Sequence, residues 1–71
     1  MTKDEVIMRV YDRIPSSYQI KELDTTRENE IRFSWRGSTF RVGLNLHVEK
    51  VEGGMLKTDN EANLLRDVLG T

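Results

Sequence analysis

The chain has 71 residues, a formal net charge of −1, 37% hydrophobic and 32% charged residues, and no cysteine. That length makes one domain, residues 1–71, near the lower limit for folding on a single unstapled core, and the lack of cysteine excludes disulfides and thiolate metal sites. The apolar runs, of which Val6-Ile7-Met8 is the longest, are too short for a membrane span, and no signal-peptide block follows Met1-Thr2-Lys3-Asp4-Glu5, so a cytoplasmic, reducing setting is expected.

Thr2 and Glu5 have capping-box spacing, and Val6, Ile7, Val10 and Ile14 follow on one helical face with Tyr11 at its margin. Acids in the first turn and Arg13 in the last complement the helix dipole. Pro15 disfavours helical geometry at Ile14 and stops the element, so a helix is predicted over residues 3–14. Tyr18 to Leu23 reads as a first strand. Tyr18 and Ile20 share a parity that Leu23 breaks, which calls for a bulge or an early end.

From Glu30 the alternation is regular, with Ile31, Phe33 and Trp35 on one side and Arg32, Ser34 and Arg36 on the other. Gly37-Ser38 suits a type II′ hairpin turn, setting Trp35 opposite Phe40. Arg36-Gly37 is the alternative turn pair and changes partners without changing faces. Phe40, Val42, Leu44, Leu46 and Val48 then continue an apolar row, which predicts one long third strand. Gly53-Gly54 makes another turn, and Met55-Leu56 forms either a short strand or a loop. Thr58 and Glu61 have the spacing of a second capping box. Ala62, Leu64, Leu65, Val68 and Leu69 line a second helix, and Gly70 stands where a C-terminal cap belongs.

The order α-β-β-β-α predicts an α+β fold in two layers, with both helices on one face of a three-stranded antiparallel sheet. The run Arg32–Val48 has three arginines, a histidine and no acid. Residues 30–50 carry four basic and two acidic side chains in a chain that is otherwise acidic on balance. Strand parity separates Arg32, Arg36 and Arg41 from Phe33, Trp35 and Phe40, so phosphate contacts on that face would lack stacking aromatics and depend strongly on salt.

Catalytic chemistry finds little support. His47 is the only histidine, Glu49 sits two residues on, and no nucleophile motif, phosphate loop or metal-ligand spacing surrounds them. The composition therefore points to a non-enzymatic interaction or adaptor domain without a cofactor, acting through a protein partner or as a homodimer. Met8 and Leu64 extend beyond compact helix faces and are candidate contacts, as are Arg32, Arg36, Arg41 and His47 on the polar sheet face. The alternative is weak, salt-sensitive nucleic-acid binding through Arg32, Arg36 and Arg41.

Overall fold

The computed structural model describes residues 1–71. Its elements are α1 (Lys3–Arg13), a single 3-10 turn (Ser17–Gln19), β1 (Lys21–Asp24), β2 (Glu30–Trp35), β3 (Ser38–Gly43), β4 (Val48–Glu52), β5 (Met55–Lys57) and α2 (Asn60–Gly70). The strands make one antiparallel meander in chain order, β1-β2-β3-β4-β5. The sheet is thus five-stranded, which corrects the three-stranded expectation. The α+β class stands, and both helices pack on a single face, because Val6, Val10, Ala62, Leu65 and Leu69 join Ile31, Phe33, Trp35, Phe40, Val42 and Val48 in one core cluster.

The start of the chain follows its sequence signals. The Thr2 hydroxyl accepts from the Glu5 amide, and the Glu5 carboxylate accepts from the Thr2 amide. Helix α1 stops at Arg13, Ile14 turns extended, and Pro15 is followed by Ser16 with a φ of 55°. The chain from Tyr18 to Ile20 is a turn and not a strand. It leaves Ile20 buried and Tyr18 81% exposed. The parity break at Leu23 appears as a register shift between Lys21 and Asp24, with Glu22 at φ 54°.

The predicted long third strand is two antiparallel strands. Gly43 ends β3, and the amides of Gly43 and Leu46 donate to His47 O and Gly43 O at 3.0 and 2.9 Å. The Asn45 carboxamide accepts from the His47 amide at 3.1 Å, and Leu46 adopts φ 67°. A Cβ on Gly43 would stand 2.9 Å from Asn45 Oδ1, so a larger residue there must push the Asn45 carboxamide aside. Leu44 and Leu46 fold back onto the core, which is why their hydrophobicity continued the strand pattern without being part of a strand.

The hairpin between β2 and β3 uses the alternative turn. Trp35 pairs with Ser38 and Phe33 with Phe40, leaving Arg36 and Gly37 at φ 52° and 80°, the geometry of a type I′ turn. Arginine is an unusual occupant of that left-handed position. Its guanidinium lies 4.6 Å from the centroid of the Trp35 ring, and that contact offsets the backbone strain. Ahead of α2 the cap is Asp59, which accepts from the Ala62 amide at 2.9 Å, and not Thr58. Lys50 draws Asp59 and Glu61 to 3.2 and 3.3 Å, so Glu61 turns toward β4 and does not close a capping box. Gly70 lies inside the helix, and Thr71 caps it by donating from its hydroxyl to Val68 O.

Candidate interaction surface

With the helices on one side, the other face of the sheet is uncovered. Strand register arranges its side chains in rows that cross the strands. One row runs Lys21, Ser34, Thr39, Val51, Leu56, through partners that pair in turn across all five strands. The next runs Asp24, Arg32, Arg41, Glu49. The face therefore has an apolar end at β4–β5, a charged centre, and one residue of each sign, Lys21 and Asp24, on β1.

The charged centre is neutralised from within. Arg32 and Arg41 are direct cross-strand partners, which alone would be repulsive. Glu30 separates them, accepting from Arg32 Nε at 2.7 Å and from Arg41 Nε at 2.9 Å. Arg41 Nη1 also donates to Glu49 at 3.2 Å. Burial alone would raise the Glu30 carboxyl, but the hydrogen bonds and charges of Arg32 and Arg41 outweigh it and hold the group below its ordinary range. Two of the three arginines that made residues 32–48 look basic are thus committed to internal carboxylates. The partners come from Glu30, just before the run, and Glu49, just after it.

The remaining candidates lie apart. Arg36 belongs to the hairpin turn, over Trp35, where its Nε and Nη2 donate to Gln19 Oε1 and Ser16 Oγ at 3.4 Å. His47 is not on a strand but in the β3–β4 connection, with Nε2 3.9 Å from Glu49 Oε1. Met8, on the outward side of α1, is 72% exposed and borders a shallow groove with Met1, Glu5, Arg9, Asp12 and Arg13. Leu64, on α2, is exposed and is not part of that groove.

Sequence reasoning left β5 open between a short strand and a loop, and missed Tyr18. Every residue of β5 is exposed, Met55 and Leu56 included, and its outer edge makes no backbone hydrogen bond. The two sheet edges differ. Edge strand β1 is interrupted by its bulge and carries Lys21, Glu22 and Asp24, the devices that discourage strand pairing. Edge strand β5 has only Lys57, which is paired with Glu52 at 2.9 Å.

No group of three or more His, Cys, Asp or Glu is placed to hold a metal ion. No helix is long and apolar enough to cross a membrane. Comparison with family models, curated proteins and solved structures gives no match to this chain.

Proposed function

We propose that this is a non-enzymatic association domain that pairs with a second copy of itself through β5 and the apolar end of the uncovered sheet face. The observation that carries this reading is the exposure of Met55 and Leu56 on an unprotected edge strand beside Val51. A free edge offers backbone donors and acceptors to an added strand, and exposed apolar side chains supply the rest of the contact.

Self-pairing suits the local sequence. An antiparallel two-fold arrangement centred on Leu56 sets Leu56 against its own copy and Met55 against Lys57, with no like charges opposed. It would join two sheets into one across the interface. The strand is only three residues long, whereas stable complexes bury roughly 1,200 Å² or more. Association should therefore be weak and dependent on concentration. The compensated pairing of Arg32 and Arg41 favours this reading over a polyanion grip on the same face.

Light scattering over a concentration series tests it. The mass should rise from the 8.3 kDa monomer toward the dimer, and Leu56→Glu, which sets two carboxylates against each other at the two-fold axis, should remain monomeric. Met8→Glu and Leu64→Glu should associate like the parent. A parent protein that stays monomeric at millimolar concentration, or a Leu56→Glu variant that associates normally, would refute the reading. Loss of association in the helix variants alone would move the interface to the helix margins.

A further inference from the structure

At the β1 end of the uncovered face, Tyr18, Gln19, Lys21, Ser34, Arg36 and Gly37 surround a shallow depression that contains no carboxylate. Two cations face it in a chain whose net charge is −1. Neither is ion-paired, in contrast to Arg32 and Arg41. Glu22, next in sequence to Lys21, is not among the lining residues.

The fold brings these residues together. Lys21 and Ser34 are cross-strand partners, which sets them side by side on one face. Arg36 is held over the Trp35 indole, and Trp35 is itself anchored by its Nε1 donating to Pro15 O at 3.1 Å. The guanidinium spends one hydrogen on Gln19 and one on Ser16, both at a long 3.4 Å. Its Nη1 hydrogens and one on Nη2 remain for a ligand. A planar fork immobilised on an aromatic ring, with an ammonium nearby, matches the shape and charge of a phosphate group. Tyr18 adds an aromatic ring that is 81% exposed. Strand parity keeps Phe33, Trp35 and Phe40 from serving as stacking platforms on this face, whereas the 3-10 turn carries Tyr18 out of the strand pattern and leaves its ring free.

We propose that this depression binds a phosphorylated nucleotide unit, with the phosphate between Lys21 and Arg36 and the base on the Tyr18 ring. A phosphate on an amino-acid side chain would use the two cations and leave Tyr18 idle; a nucleotide uses all three. The site is independent of the self-association reading, since β1 and β5 are opposite edges of the sheet.

The test is a set of amide chemical-shift titrations with adenosine monophosphate, adenosine, inorganic phosphate and a single-stranded adenylate tetramer, on the parent chain and on Leu56→Glu. Adenosine monophosphate should shift the amides of Tyr18, Lys21, Arg36 and Gly37 in both proteins. Stacking should make it bind about tenfold tighter than inorganic phosphate. Tyr18→Ser should bring the two ligands level, and Lys21→Gln and Arg36→Gln should each weaken adenosine monophosphate several-fold while the spectra stay dispersed. A tetramer that binds more tightly than the monomer assigns the source as a polynucleotide strand, and equal binding assigns a free nucleotide. Inorganic phosphate binding as tightly as adenosine monophosphate overturns the nucleotide assignment. So does the absence of shifts at these amides with millimolar ligand, or undiminished binding by the Lys21→Gln and Arg36→Gln variants.

Discussion

Replacing Glu30 by glutamine keeps the side chain's shape and removes one charge at the point where two arginines converge. In the parent protein Glu30 accepts charge-assisted bonds of 2.7 and 2.9 Å, and its side chain is 14% exposed, against 24% and 23% for Arg32 and Arg41. Hydrogen bonds to charged groups contribute about 1.5–3 kcal/mol each, more than neutral ones. Glutamine retains one carbonyl oxygen, Arg41 keeps Glu49, and partial exposure screens part of the repulsion between the arginines. The net cost is then about 2 kcal/mol, or a fall in Tm of about 8–16 °C for a domain of this size. The assay is thermal and urea unfolding followed by Trp35 fluorescence, at neutral pH and in acid. Glu30 titrates below its ordinary 4.5 when folded. Its contribution is therefore complete above that value and is lost as pH falls through the lowered folded one. The gap between parent and Glu30→Gln should close in acid and narrow in high salt. A gap at neutral pH under about 0.5 kcal/mol, the range of ordinary surface substitutions, or one that persists in acid, would refute the role given to Glu30.

Other positions give sharper local tests. Gly43→Ala must displace Asn45 Oδ1 from its bond to the His47 amide, costing roughly 1–2 kcal/mol as a mild overpacking, measurable by urea unfolding. At the hairpin, Arg36→Gly loses the ring contact but relieves the left-handed backbone, whereas Arg36→Ala loses the contact and keeps the strain. The alanine variant should be the less stable by about 1 kcal/mol, and equal Tm values would contradict the strain argument. Asp59→Ala should lower the urea midpoint and speed amide exchange in the first turn of α2, while Thr58→Ala leaves both unchanged. The reverse order would return the cap to Thr58.

The sequence made the elements with strong local signals legible, and left hidden those whose pattern was produced by tertiary packing. Thr2, Glu5 and Pro15 bounded α1 because caps and proline act within a turn of the chain. The burial of Phe33, Trp35 and Phe40 followed from strand parity, which holds whichever turn pair closes the hairpin. The β3–β4 turn escaped because Leu44 and Leu46 kept a period of two while packing back on the core. Gly43 and Asn45 were the available signals, a glycine within a strand pattern followed two residues later by a turn-forming side chain. The second capping box did not form, and the cap moved one residue to Asp59, because Lys50, far away in sequence, competes for Glu61. At the surface, exposure of Met8 and Leu64 was foreseeable from helical angles. The neutralisation of Arg32 and Arg41 was not, because the acid-free run from 32 to 48 left out its partners on either side. Tyr18 was missed, and β5 left open between strand and loop, for the same reason as the turn: each depends on where the chain reverses.

Self-pairing through β5 is tested most directly by amide hydrogen exchange at Met55, Leu56 and Lys57, measured as protein concentration is raised. Around the two-residue Gly53-Gly54 turn the Met55 and Lys57 amides face β4 and the Leu56 amide faces outward, so Leu56 has no partner in the isolated chain and should exchange fast when dilute. Its amide should become protected in step with the rise in mass, while the amides of β1 do not change. Exchange at Leu56 that stays fast and independent of concentration, in solutions where the protein is dimeric, would contradict the account and move the interface elsewhere on the molecule.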